Sequence, residues 1–113
     1  MKKRRACLKI KLHHITVSVL PLPARLDDGD TLGYWSSKDQ AIYIHPDHPP
    51  SEQARILWHE IVHGFYWVYN WDDAPLKEEA ICDRLESPLT ALFNDNPHLA
   101  AALAAAAAGA PLV

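Results

Sequence analysis

The chain predicts a single α+β domain, and three observations carry that expectation. Period-two apolar patterns fall in the stretch up to His45, helical periodicity takes over from Pro50 onward, and the length suits one core. At 113 residues, 49% hydrophobic and 22% charged, the chain lies in the globular range and can build one modest core but not two. The expected layout is one domain over 1–113, with a basic N-terminal tail over 1–7 and an Ala-rich C-terminal segment over 100–113.

Leu8, Ile10 and Leu12 alternate with polar residues, and Ile15, Val17 and Val19 alternate in the opposite phase. This predicts a strand with a bulge or break at His13-His14, ended by Pro21 and Pro23. Asp27-Asp28-Gly29-Asp30 is a turn-rich segment that lacks the remaining positions of a calcium loop, so a plain loop is expected. Leu32 to Trp35, a Ser36-Ser37-Lys38-Asp39 turn and Gln40 to His45 read as a β-hairpin. His45 and His48 flank Pro46 in an extended loop, where solvent-facing roles are expected, and His13-His14 reads as a polar strand pair.

Pro49-Pro50 excludes a helix before it, Ser51 is a candidate N-cap, and Glu52 and Gln53 suit a first turn. Leu57, Ile61, Phe65 and Val68 then recur at helical spacing, and Trp58, Val62, Tyr66 and Tyr69 widen the stripe. The expected helix runs from Glu52 to about Tyr69 and is central and largely buried. After Asp72-Asp73, Pro75 fits the first turn of a second helix whose apolar face is Leu76, Ala80, Ile81, Leu85, Leu89, Leu92 and Phe93. Pro88 removes one hydrogen bond from that helix, and because the apolar phase survives across it a kink is expected. Asn96 caps a last helix opening at Pro97, whose alanine tract has high helix propensity but little area to bury, so Leu99 and Leu103 must dock it.

His59-Glu60-Ile61-Val62-His63 carries the chemistry. Residues four apart share a helix face, so both imidazoles can reach one metal ion while Glu60 flanks it. Two neutral imidazoles leave room for a third protein ligand and a water, the open coordination of catalytic zinc. Glu60 is the candidate general base. With seven His in the chain, a shuffled sequence would show this spacing on the order of once or twice in a hundred, so context must support it.

An astacin-like pattern would need Gly at 66 and His at 69, where the chain has Tyr66 and Tyr69. Downstream, Glu79 and Asp83 stand one helical turn apart, which lets Glu79 coordinate zinc while Asp83 receives the outward N–H of a ligating His. The expected site is therefore His59, His63 and Glu79, with Glu60 as base, Asp83 as orienter and Glu78 as the alternative third ligand. No residue is assigned as donor to the carbonyl oxygen; Tyr34, Tyr43, Tyr69 and His98 are equal candidates.

His59-Glu60-x-x-His63 followed by Glu79-Ala80-Ile81-Cys82-Asp83 resembles the gluzincin metallopeptidases, whose thermolysin-like members take their third ligand from a Glu-x-x-x-Asp helix. The hairpin, the motif helix, the Glu-Glu helix and the Asn-Pro-His-Leu segment together look like small phage and prophage gluzincin-like proteins, distantly related to the ImmA/IrrE and SprT-type peptidases. The resemblance covers about Leu32 to Leu99 and is specific only on the two helices. It implies a minimal zincin core, zinc as cofactor and peptide-bond hydrolysis. In folds of that type an extended peptide pairs with the sheet edge, which by analogy puts Ala41 to Ile44 near the cleft.

The net charge of −3 gives no reason to expect nucleic-acid binding, and Lys2-Lys3-Arg4-Arg5 reads as a solvated terminus. Lys9, Lys11, His13 and His14 interrupt any signal-peptide apolar region, and no stretch is apolar enough to span a membrane, so the cytosol, of a phage-infected or lysogenic bacterial host on the resemblance, is the expected compartment. Cys7 and Cys82 are expected as free thiols, Cys82 in the core. Trp35, Trp58, Trp67 and Trp71 are expected in core and rim packing. The preferred function is a zinc metallopeptidase acting on a peptide or protein. The alternatives are a zincin-fold module with little turnover that docks a protein, and a zinc hydrolase of other bonds.

Overall fold

The computed structural model of the chain describes residues 7–71 and 78–113. It is an α+β domain with a four-stranded mixed sheet and three helices: β1 (Leu8–Leu12), β2 (Ile15–Pro21), β3 (Gly33–Ser36), β4 (Ala41–Ile44), α1 (Pro50–Val68), α2 (Glu78–Asp95) and α3 (Pro97–Ala107). The sheet order is β1-β2-β4-β3, with β4 parallel to β2 and the two outer pairs antiparallel.

The expected bulge or break at His13-His14 is a break, and the chain reverses there in a tight hairpin. Leu12 pairs with Ile15 and Leu8 with Val19, so the two opposite sequence phases become one face, because residues directly opposite in an antiparallel pair point the same way. His13 takes a positive φ of 54° at the first turn position, as a two-residue hairpin requires. The second hairpin forms as expected, with Ser36 opposite Ala41 and Gln40 at φ 48° closing the turn.

Ile10, Leu12, Val17, Val19, Ile42 and Ile44 on one sheet face pack against Leu57, Ile61 and Phe65 of α1, all nearly inaccessible. Each such side chain contributes about 1.5–3 kcal/mol by leaving water. The opposite sheet face carries a smaller cluster of Leu22, Ala41 and Tyr43. Gly64 lets α1 approach closely: a Cβ there would meet Leu12 Cδ1 at 2.8 Å and the Trp35 ring at 3.2 Å.

Helix α1 begins at Pro50 with Pro49 as N-cap and no side-chain cap bond, so Ser51 lies inside the helix; proline's fixed φ suits the first helical position. The helix is buried on one face only, and Val62, expected in the stripe, is 38% exposed. Gln53, 1% exposed, ties the start of α1 to the chain around it. Its amide donates to the carbonyls of Pro46 and His48, and its oxygen accepts from the N–H of Leu112. Helix α2 runs unbroken through buried Pro88. Its core contacts come late, through Leu85, Leu89 and Leu92, while Ala80, Ile81 and Phe93 are exposed. Pro75 and Leu76 lie outside the described residues.

Asn96 is the N-cap of α3, as expected, but through its carbonyl, which accepts from Leu99 N–H at 2.9 Å, and not through its side chain. Its buried side chain accepts from Lys11 N–H at 2.6 Å and donates to the carbonyls of Lys11 and Leu92 at 2.8 and 2.7 Å. His98 Nε2 lies 2.7 Å from the Lys9 carbonyl. The free edge of β1 is thus closed by the α2–α3 junction. Leu99 and Ala106 are buried, which docks the alanine helix on the core.

Ala41 to Ile44, expected near the cleft by analogy with edge pairing, is not an edge strand. β4 is paired on both sides and wholly buried, because the parallel β2–β4 pairing places it inside the sheet. The open edge is β3, whose backbone among the described residues bonds only to β4. No helix among the described residues is long and apolar enough to cross a membrane.

Candidate functional site

His59, Glu60 and His63 sit in the middle of α1, beneath β3. The helix turns both imidazoles outward, where they are exposed, and Glu60 toward the sheet, where it is 6% exposed. The two Nε2 atoms stand 3.2 Å apart with ring centroids at 4.8 Å. Two nitrogens each about 2.0–2.1 Å from one tetrahedral zinc would stand about 3.3–3.4 Å apart, so the pair fits a shared ion with little adjustment. The same separation also suits one N–H···N bond between neutral rings.

Glu60 reaches its position because β3 has no side chain to exclude it. A Cβ at Gly33 would lie 3.2 Å from Glu60 Oε2 and 2.5 Å from Ile56 Cγ2. Gly33 and Gly64 stand outside the apolar periods; a glycine inside a helical run is the signal that marks Gly64, since its propensity penalty implies a packing reason. Burial raises the Glu60 carboxyl above its usual range, opposed by the nearby His63 and His59. Glu60 makes no hydrogen bond to another described residue, and no described side-chain N or O is both fully buried and unpartnered. Its carboxylate therefore opens into the recess of about 260 Å³ lined by Gly33, Ile56 and His59. A proton acceptor held at the mouth of a small recess beside two imidazoles is suited to general-base work.

Glu79 and Asp83 lie exposed on the first turns of α2, as does Glu78. Among the described residues no group of three His, Cys, Asp or Glu side chains is gathered for a metal, so the structure pairs His59 with His63 and does not add Glu79 to them. Residues 72–77 lie outside the described residues. Cys82 is exposed rather than in the core, and Cys7 is also exposed and free; the start of α2 stands off the core and presents that face to solvent.

Of the candidate carbonyl donors, Tyr43 lies on the sheet face away from α1 and donates to Asp39 Oδ2 at 2.8 Å. His98 is engaged at β1, and Tyr69 packs between His13 and Trp71. Tyr34 shares a second recess with His63, as does Tyr66, which the sequence patterns assign to packing. His45, expected to face solvent, is instead engaged by its loop. His45 Nδ1 accepts from Asp47 N–H, which leaves Nε2 to donate to Asp27 at 3.1 Å. In the adjoining loop Asp28 accepts from Asp30 N–H and from the N–H and hydroxyl of Thr31, which hold its carboxyl below the usual range.

No family model, no curated protein and no solved structure matches the chain.

Proposed function

We propose that the protein is a zinc-dependent metallopeptidase of minimal gluzincin type, with His59 and His63 as ligands, Glu79 as third ligand, Asp83 as the orienter of a ligating His, and Glu60 as general base. The single observation that carries this reading is the 3.2 Å approach of the two Nε2 atoms beside a buried carboxylate with no hydrogen-bond partner among the described residues. When bound, zinc supplies Lewis-acid stabilisation of the scissile carbonyl and acidifies water at the site.

The residues divide the remaining work. Glu60 takes a proton from the attacking water and returns it to the leaving amine, a role for which its place beside both imidazoles at the mouth of a recess suits it. The open edge of β3 pairs with an extended peptide backbone and lays it along α1. Closure of the β1 edge by Asn96 and His98 leaves β3 as the sheet edge for such a strand.

A second reading, a zinc-holding module that docks a protein with little turnover, is favoured by the exposure of Glu79 outside any three-residue group among the described residues. Both readings require zinc; only the first requires Glu60 as a base. The test is elemental analysis of the purified protein, with His59→Ala alongside, followed by peptide hydrolysis by wild type and Glu60→Gln. One zinc per chain lost in His59→Ala, with hydrolysis abolished but zinc retained in Glu60→Gln, supports the peptidase. Zinc without hydrolysis in wild type selects the docking module. Absence of zinc uptake on titration overturns both.

A further inference from the structure

A shallow recess of about 400 Å³ opens beside His63, bordered by Tyr34 and Trp35 of β3, by the polar residues 36–38, and by Tyr66, Trp67 and Trp71 at and just beyond the end of α1. Its volume falls within the range of small-molecule sites. Trp35 and Trp67 pack on each other in a tilted contact, with centroids 6.3 Å apart at 54°, and Tyr66 meets Trp71 edge-on at 5.3 Å. Trp67 is 48% exposed, so a ring face that burial would stabilise is left open to water. Trp58, the fourth tryptophan, lies elsewhere, packed on Phe93 and the core.

Resting on the metallopeptidase reading, we propose that this recess is the specificity subsite of the enzyme and takes an aromatic side chain of the peptide, next to the bond that is cut. Two observations select that occupant. The walls present several aromatic faces and edges in tilted and edge-on arrangements, which complement another ring better than an aliphatic or small side chain. His63 lines this recess while His59 and Glu60 line the other, so a strand paired along β3 with one side chain in this recess brings the neighbouring carbonyl to the His pair and leaves the Glu60 recess to the attacking water.

The four indoles supply their own control. The ¹⁵N-labelled full chain is titrated, without and with zinc, with N-acetyl-glycyl-phenylalanine amide and with N-acetyl-glycyl-alanine amide, and the indole N–H signals are followed. The phenylalanine peptide is expected to shift Trp35 and Trp67 saturably while Trp58 stays still, and the alanine peptide to have no effect at the same concentrations. Trp67→Ala, at a half-exposed position, is expected to weaken binding by about threefold to tenfold, and Trp67→Phe to restore most of it. Equal titration by both peptides, shifts shared by Trp58, or unchanged affinity in Trp67→Ala overturns the proposal. Selective binding with no hydrolysis of longer phenylalanine peptides would keep the subsite and remove the peptidase; hydrolysis with no preference for phenylalanine over alanine would do the reverse.

Discussion

Gly33 stands directly over Glu60: a Cβ on this edge-strand residue would come within 3.2 Å of the Glu60 carboxylate and 2.5 Å of Ile56 Cγ2. The Ile56 methyl belongs to a β-branched side chain that is 3% exposed, so it has little room to yield. Gly33→Ala is expected to lower stability by about 1–3 kcal/mol through overpacking and to reduce hydrolysis more than zinc content, because the added methyl displaces the base and not the ligands. Urea denaturation read beside zinc content and turnover checks this. An activity loss no larger than the zinc loss would remove Gly33 from a positioning role.

Glu79→Ala should weaken zinc binding by at least about tenfold, comparable to or larger than the loss of a residue that orients a ligand. A competition titration against a chelator measures it. Unaltered affinity there, with a loss in Glu78→Ala, would move the ligand by one residue; no loss in either would leave the imidazole pair without a carboxylate from α2.

Asn96→Ala should destabilise the domain by about 2 kcal/mol, since it strands the Lys11 N–H and two carbonyls at a closed sheet edge. The His pair lies away from this junction, so zinc binding should be retained in the folded fraction. A variant as stable as wild type would mean that water satisfies those groups equally well.

Tyr43→Phe tests a pH-dependent clamp outside the site. The Tyr43 hydrogen bond is the first cause of the lowered Asp39 carboxyl, which Arg25 also approaches at 3.3 Å, and burial first, then Asp39, raises the Tyr43 hydroxyl. A lowered carboxyl stabilises above its unfolded pKa, about 4, and loses that contribution as pH falls through the folded value. A raised phenol stabilises below about 10 and loses it as pH rises toward the folded value. The stability difference between wild type and Tyr43→Phe should therefore be flat between about pH 4 and pH 10 and shrink on either side. A difference that grows on acidification would reverse the sign assigned to Asp39.

Much of the architecture was legible in the residues because it is local. Leu57, Ile61 and Phe65 repeat at helical spacing, and His59, Glu60 and His63 must share one region of that helix whatever else the chain does. The second hairpin and the order of the three helices follow from turn residues and period in the same way. The first hairpin was less legible: two histidines are a poor turn signature, and the opposite phases of Leu8–Leu12 and Ile15–Val19 match both a bulge and a reversal until cross-strand pairing chooses. Cys82, Ile81 and Val62 illustrate the other limit. Periodicity names an apolar stripe but not how far the partner surface extends over it.

By itself the sequence determined the strand and helix segments, the apolar faces of the sheet and of α1, and the spacing that brings His59 and His63 together, since backbone period and side-chain type suffice for those. Only the tertiary structure decided that β4 is inside the sheet and β3 at its open edge, that Asn96 closes β1, and that Gly33 and Gly64 let the sheet settle onto the motif helix around Glu60. Strand order and close approach depend on contacts between residues far apart in the chain, and those are set by the shape and volume of the assembled core rather than by any local pattern.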